Sequence, residues 1–128
     1  MSINKLFLRP EPNSGSAAEA AAAEWLEQQG LKLVEKNYRC KGGEIDLIMH
    51  SATDLIFVEV RLRKRSEYGS AAESVTVTKQ RRIICAARHF LATHSRWQNS
   101  GCRFDVVATS DSTQAKEWQW LQHAFLAE

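Results

Sequence analysis

Two apolar segments near the middle of the chain decide its fold: Glu44-Ile45-Asp46-Leu47-Ile48-Met49-His50 and Leu55-Ile56-Phe57-Val58-Glu59-Val60-Arg61-Leu62-Arg63. Both segments are rich in β-branched and large apolar residues, which favours β-strands. The residues between them, Ser51-Ala52-Thr53-Asp54, are typical of a turn. The sequence therefore predicts an antiparallel hairpin that is apolar on both faces, as expected when helices cover each side.

A four-residue turn would fix the register of this hairpin. His50 would then face Leu55, and Asp46 would face Glu59, with Cβ atoms about 4.5–5.5 Å apart. Two carboxylates so placed among apolar neighbours repel each other unless a cation binds or one takes up a proton. Because Mg²⁺ is typically held by one or two carboxylates, the register predicts a divalent-metal site. A shift of one residue would place the acids on opposite faces.

Three further charged residues each have two interpretations. Arg61 lies on the same side as Glu59 and could bind a phosphate, or it could form a diagonal ion pair with Asp46 that leaves Glu59 in solvent. Glu19 is either the third residue of a capping box begun by Ser16 or a carboxylate on the inward stripe of a helix that reaches the hairpin site. Asp105 points toward these carboxylates or makes a structural hydrogen bond to a neighbouring loop.

The rest of the chain predicts an α/β protein with a mixed central sheet flanked by helices. Residues 1–13 contain both prolines and are expected to form a flexible arm, and residues 14–128 a single domain. Before the hairpin we expect a helix over 17–29, ended by Gly30, and an extended segment over 31–38. After it we expect a loop over 64–77, a helix over 79–94 capped by Thr78, and strands over 103–109 and 118–121.

The composition excludes several classes of protein. A chain of 128 residues with 44% apolar and 25% charged residues is typical of one globular domain. No stretch approaches the roughly 18 apolar residues of a membrane span, and the N-terminus lacks the apolar region of a secretory signal. The three cysteines are widely spaced, which indicates reduced thiols in a cytoplasmic protein. We expect Cys85 to pack in the core.

The net charge of +2 conceals a strong segregation along the chain. Residues 61–103 carry ten Lys/Arg against two Asp/Glu, whereas residues 1–60 carry six against nine and residues 104–128 carry one against four. A basic middle segment flanked by acidic ones indicates a surface that binds a polyanion such as nucleic acid. The alternative is ordinary solvated charge.

The basic residues fall into two groups near the hairpin. One group follows the second strand into the loop: Arg61, Arg63, Lys64 and Arg65. The other opens the second predicted helix, and comprises Lys79, Arg81 and Arg82. Because cations at a helix N-terminus are unfavourable to its dipole, their gathering there suggests that an anion offsets the penalty. Recognition of the phosphate backbone is expected rather than sequence-specific readout, since no known base-reading motif is present.

The strings Gly43-Glu44-Ile45-Asp46-Leu47-Ile48 and Phe57-Val58-Glu59-Val60-Arg61-Leu62-Arg63 resemble the YraN-type family of small bacterial proteins. The resemblance covers the chain from about Gly15 to its end, and extends to Gly15-Ser16-Ala17-Ala18-Glu19, Asn37-Tyr38-Arg39, Lys79-Gln80-Arg81-Arg82 and Cys102-Arg103-Phe104-Asp105-Val106-Val107. That family is similar to the restriction-endonuclease-like superfamily, whose motif is an acid on one strand and E-x-K on the next. The resemblance implies a nuclease-like core.

The resemblance also implies roles for individual residues. Asp46, Glu59 and the backbone carbonyl of Val60 would be ligands of Mg²⁺ or Mn²⁺, and Glu19 would be an additional acidic ligand. Lys79 and Gln80 would lie near the phosphate. Glu44, which shares a face with Asp46, either supports the metal ligands without binding the metal or is solvated at the start of its strand. Gln80 is expected to support the metal ligands.

One position departs from the superfamily pattern. Arg61 stands where active members have lysine, and arginine stays protonated, so that it could not act as a general base. Activation of water would then rest on the metal. Three functional hypotheses follow: a metal-dependent nuclease acting on DNA, including branched or damaged DNA; a non-catalytic nucleic-acid-binding protein of the same fold; and a scaffold for a protein partner. The chain could also form a homodimer.

Overall fold

In a computed structural model, the described residues 14–63, 74–110 and 117–127 form a five-stranded sheet with a helix on each face. The elements in chain order are α1 (Ser14–Gln28), β1 (Lys32–Cys40), β2 (Gly43–His50), β3 (Asp54–Arg63), α2 (Val77–Thr93), a short 3₁₀ helix (Ser95–Trp97), β4 (Gly101–Ser110) and β5 (Trp118–Phe125). The expected arm at 1–13 and most of the predicted loop over 64–77 lie outside the described residues.

The strands lie in the order β1-β2-β3-β4-β5, so that β3 is central. Neighbouring strands are antiparallel except β3 and β4, which are parallel and are connected through α2. This mixed sheet between two helices is a restriction-endonuclease-like arrangement and confirms the predicted fold class. Within the described ranges, neither helix is long and apolar enough to cross a membrane.

The sheet is covered because its strands are apolar on both faces. One layer of core packs beneath α2 and includes Ile48, Phe57, Ile83, Phe90 and Val106. The other packs beneath α1 and includes Ala22, Leu26, Leu47, Val58 and Val107. Alternate residues of β2 and β3 thus enter opposite layers, which is the pattern that strand geometry requires.

Two predictions about α2 need correction. Thr76, not Thr78, caps α2: its hydroxyl accepts a hydrogen bond from the backbone N–H of Lys79 at 3.1 Å, so that the helix begins two residues earlier than expected. Cys85 is half-buried and lies outside the core. Its thiol instead donates to the carbonyl of Lys41, in the turn between β1 and β2.

Candidate functional site

The hairpin opens at the position of Asp46. The observed ladder pairs His50 with Leu55 and continues to Leu47 with Val58, in the predicted register, and it ends there. The predicted Asp46–Glu59 backbone pair is therefore absent from the ladder. The carboxylate of Asp46 instead accepts a hydrogen bond of 2.9 Å from the backbone N–H of Val60. A side-chain oxygen thus takes the place of the strand's own acceptor and holds Asp46 next to Glu59.

The neighbouring strand β1 is also irregular at this level. Asn37 lies between the pairs Lys36–Leu47 and Tyr38–Ile45, opposite Asp46, and its φ is +53°. This left-handed conformation is uncommon for a residue other than glycine, although asparagine tolerates it best. The Asn37 side chain hydrogen-bonds the carboxyl of Glu19 on α1. The backbone of β1 therefore departs from regular geometry where it contacts the acidic residues.

Glu19 belongs to this site and not to the helix cap. Because α1 begins at Ser14, Glu19 lies beyond the first turn, and the capping-box interpretation is wrong. Burial raises the pKa of Glu19 most, and the charge of Asp46 raises it further, to about 7. The side chain of Asn37 and the charge of Arg39 oppose this rise in pKa. Glu19 is thus joined to the hairpin through Asp46.

Glu59 is the most buried acid of the site, with 2% of its surface exposed. Burial raises its pKa most, the charge and hydrogen bond of Asp46 raise it further, and Lys79 opposes them, so that the pKa is about 8. The alternative in which Glu59 reaches solvent is therefore wrong. Asp46 is the carboxyl group whose charge raises the pKa of both Glu19 and Glu59, and these three residues are called the acidic row below.

Two cations contact the buried end of this row. The ammonium of Lys79 lies 3.2 Å from Glu59 Oε2, and a guanidinium nitrogen of Arg61 lies 3.7 Å from the same oxygen. Arg61 therefore pairs with Glu59 and not diagonally with Asp46. Neither contact has the geometry of a hydrogen bond. Within the described residues, Glu59 Oε2 and Arg61 Nε are both buried without a hydrogen-bond partner. The contacts of Glu59 Oε2 with Lys79 and Arg61 are therefore charge–charge contacts, and the hydrogen-bonding capacity of this oxygen and of Arg61 Nε remains unused.

The row of acids is not a preformed metal cage. Among the residues that the structure describes, no group of three or more His, Cys, Asp or Glu side chains is arranged to enclose a metal ion. Burial raises the pKa values of Glu19 and Glu59 most, and in each case Asp46 is the acid that raises the pKa further. Lys79 lies beside Glu59, at the place where a bound cation would otherwise neutralise the charge of Glu59.

Lys79 is the residue whose place in the site the sequence did not reveal. The pattern of charges places it with the phosphate-binding residues of the second helix, but nothing in the sequence pairs it with Glu59. The Thr76 cap fixes the first turn of α2, and the side chain of Lys79 reaches Glu59 from that turn. The sequence signal that could have revealed this contact is a lysine in the first turn of a helix that packs on a sheet carrying acidic residues.

The remaining predicted residues have other contacts. Glu44 pairs with Arg39 at 3.7 Å and with Arg82 at 3.8 Å, and the side-chain amide of Gln80 donates to the carbonyl of Val75. Arg81 is exposed. Lys64 and Arg65, and the side chain of Arg63, lie outside the described residues. That the backbone carbonyl of Val60 binds the metal stays a prediction.

Asp105 lies apart from the acidic row, in a structural network between β4 and β5. It is fully buried and accepts hydrogen bonds from Arg103 Nε at 3.1 Å, from Trp120 Nε1 at 2.9 Å and from the backbone N–H of His123 at 3.1 Å. Arg103 also approaches Asp54 at 3.8 Å. Of the two interpretations of Asp105, the structural hydrogen bond is the one observed.

The fold and the acidic row define a restriction-endonuclease-like protein with an Asp on one central strand and a Glu on the next. The chain belongs to the family described as "Uncharacterised protein family UPF0102", whose model matches residues 18–109. It is 51% identical over 123 residues to a UPF0102 protein of Alcanivorax borkumensis, covering 95% of this chain and 98% of the relative. A UPF0102 protein of Saccharophagus degradans is 50% identical over 88% of this chain and 92% of its own length.

Proposed function

We propose that this protein is a divalent-metal-dependent nuclease that hydrolyses phosphodiester bonds of DNA. The observation that carries the proposal is the row formed by the carboxyl groups of Glu19, Asp46 and Glu59, with two cations at its buried end. The elevated pKa values of Glu19 and Glu59 mean that the row resists becoming fully ionised without a counter-charge. Groups with such perturbed pKa values concentrate at functional sites.

Mg²⁺ or Mn²⁺ would supply that counter-charge. Asp46, Glu59 and Glu19 would hold it, together with the backbone carbonyl of Val60, since hard divalent cations prefer oxygen ligands. Glu59 Oε2 is suited to bind the ion because it is a buried oxygen whose hydrogen-bonding capacity is unused. When bound, the ion polarises the phosphate and lowers the pKa of a bound water molecule.

Lys79 and Arg61 would bind the substrate at the same place. Both are about one-third exposed and both approach Glu59, so that they form a cationic boundary to the acidic row. When the charge of Glu59 is neutralised by another cation, their positive charges become available to a phosphate group. Arg61 remains protonated, and its role is to stabilise negative charge on the phosphate and not to remove a proton.

The start of α2 would hold the DNA backbone. Lys79, Arg81 and Arg82 lie in its first turns, where backbone N–H groups also favour an anion. Arg81 and Arg82 are exposed. The proposal includes Arg63, Lys64 and Arg65 as further backbone contacts. Such contacts recognise charge and shape, which suits a branched or damaged DNA substrate.

A cleavage assay tests this function directly. Linear, nicked, flapped and four-way DNA are incubated with the protein and Mg²⁺ or Mn²⁺, and products are resolved on denaturing gels. Asp46→Asn and Glu59→Gln should abolish cleavage, while Glu24→Gln, an exposed acid on α1, should leave it unchanged. Cleavage that persists in Asp46→Asn, or that does not need a divalent ion, would refute the proposal.

A non-catalytic DNA-binding protein of the same fold is the second candidate. Two observations favour it: Arg61 stands in place of the usual lysine, and Lys79 already neutralises Glu59. This function predicts binding that weakens steeply with salt, with a smaller slope after Arg81 and Arg82 are replaced by alanine, but no cleavage on any substrate. An absence of salt-sensitive DNA affinity would instead support a scaffold for a protein partner.

A further inference from the structure

Two thiols meet where the turn between β1 and β2 packs on α2. Cys40 ends β1 and Cys85 lies in the middle of α2. Their sulfur atoms approach the same oxygen, the carbonyl of Lys41, at 3.7 Å and 3.8 Å. A Cβ atom added at Gly42, in the same turn, would lie 3.5 Å from the Cys85 sulfur. Cysteines far apart in the sequence thus become direct neighbours at a half-buried position.

The turn that brings them together is held tightly against the helix. Gly42 has a φ of +89°, which favours glycine. At Gly43, an added Cβ atom would lie 2.3 Å from the carbonyl oxygen of Arg82 and 2.8 Å from the backbone nitrogen of Ala86. No side chain separates the turn from the helix backbone at this point. The proximity of the thiols therefore follows from backbone packing and not from flexible side chains alone.

We propose that Cys40 and Cys85 form a redox-active pair that a hydroperoxide converts into an intramolecular disulfide joining β1 to α2. The proposal does not depend on the nuclease function. Because α2 also carries Lys79, the bridge would restrain the helix whose first turn contacts Glu59. Oxidation of Cys40 and Cys85 would thus act on α2, the helix that borders the acidic row.

The chemistry needs hydrogen peroxide and the two thiols. One thiolate attacks a peroxide oxygen; an S–O bond forms, the O–O bond breaks, and the departing hydroxide leaves as water after taking up a proton. The second thiolate attacks that sulfur; an S–S bond forms, the S–O bond breaks, and a second water leaves. Two thiols lose two electrons and two protons in all. Burial and the Cys85 thiol raise the pKa of Cys40, so that oxidation should accelerate with pH.

The third cysteine provides a matched control. Cys102 is exposed and begins β4, where it pairs with Leu55 of β3, which in turn pairs with His50 at the end of β2. Cys40 pairs with Gly43, at the start of β2. The two cysteines therefore lie at opposite ends of a strand of eight residues, roughly 25 Å long at about 3.3 Å per residue. Cys102 cannot bridge to either partner in the folded chain.

Oxidation of the full chain with stoichiometric hydrogen peroxide tests the proposal. Free thiols should fall from three to one, the mass should drop by two hydrogen atoms, and a non-reducing peptide map should join Cys40 to Cys85. Cys102→Ser should oxidise in the same way, whereas Cys40→Ser and Cys85→Ser should not lose two thiols, and dithiothreitol should reverse the change.

Two results would overturn it. One is a wild-type peptide map that joins Cys102 to another cysteine or to a second chain, and the other is a thiol count that stays at two or three while sulfenic acid accumulates. Both are measured on the wild-type protein, so that a serine variant that fails to fold does not weaken the test. Thermal melting before and after oxidation checks the fold, and the bridged form should melt at a higher temperature.

Discussion

The backbone N–H of Val60 donates a 2.9 Å hydrogen bond to the carboxylate of Asp46, at the position where the ladder between β2 and β3 ends. The two strands remain connected there through a side chain and not through their backbones. Asp46 therefore has two functions in the fold: it completes the hydrogen bonding of β3, and it holds a negative charge beside the buried carboxyl of Glu59.

Substitutions of Asp46 should separate these two functions. Asp46→Ala removes the acceptor of the Val60 N–H and should reduce the free energy of unfolding by about 1–3 kcal/mol. Asp46→Asn keeps a carbonyl oxygen at this position and should cost less stability, although it removes the charge. Urea denaturation measures both values. Equal stability of the alanine and asparagine variants would show that the hydrogen bond to Val60 contributes little.

The metal-free protein should lose stability as pH rises from about 5 to 8. The pKa of Glu59 is about 8 and that of Glu19 about 7 in the folded protein, above the ordinary value of 4.5. The folded state consequently binds more protons than the unfolded state within this window, and stability declines with pH until both groups are ionised. Below pH 4.5 and above about pH 8, these two groups should not change the free energy of unfolding as the pH varies.

Glu59→Gln isolates this effect because glutamine mimics the protonated acid. In a chelating buffer at pH 9, the variant should melt above the wild type by roughly 5 °C, since a destabilisation near 1 kcal/mol corresponds to a shift of this order in small domains. At pH 4 the two proteins should melt at nearly the same temperature. A variant that is less stable than the wild type at pH 9 would mean that the ionic contact with Lys79 outweighs burial and repulsion.

Lys79 and Arg81 should differ in their effects although they are close in sequence. Lys79 contacts Glu59, whereas Arg81 is exposed. Under the proposed function, Lys79→Gln should reduce the rate of cleavage at saturating DNA by roughly 100-fold. Arg81→Gln should mainly weaken binding and lower the salt slope by about 1. Single-turnover kinetics at several salt concentrations distinguish these outcomes, and equal loss of rate in both variants would contradict the assignment.

Asp105 should matter for stability and not for the acidic row. Asp105→Ala removes the acceptor of three donors, including the buried guanidinium of Arg103, and should destabilise the fold by about 3–5 kcal/mol. Asp105→Asn should cost less, because it keeps one oxygen. Chemical denaturation gives these values. The prediction fails if Asp105→Asn, at a temperature where it is folded, alters Mn²⁺ affinity as much as Asp46→Asn does.

The main elements were predictable because their sequence signals are local. Two segments of large apolar and β-branched residues and a turn of four residues were enough to place β2 and β3 in register from Leu47–Val58 to His50–Leu55. The α1 and α2 helices follow from alanine content and an apolar stripe. The start of α2 was misplaced because Thr76 and Thr78 are both suited to cap a helix, and Thr76 is the one whose hydroxyl accepts from the backbone N–H of Lys79.

The site was predictable only in part. The register predicted that Asp46 and Glu59 lie close together, and the charge of Asp46 does raise the pKa of Glu59, but the ladder ends before the backbone pair that these two residues were expected to form. The end of the ladder at Asp46, the positive φ of Asn37 and the contact of Lys79 with Glu59 depend on packing between elements that are distant in sequence. The connection of Glu19 to Asp46 depends likewise on how α1 lies over the sheet, which no local pattern specifies.

Titration of the metal-free protein with Mn²⁺, followed by calorimetry at pH 8, tests the central claim that the acidic row holds a divalent cation. The wild type and Glu24→Gln should bind one ion with the same affinity and release protons from the row on binding. Asp46→Asn and Glu59→Gln should each weaken binding at least roughly tenfold, since each removes one ligand. Equal affinity in the wild type and in Asp46→Asn, or no heat of binding in either protein, would contradict the account.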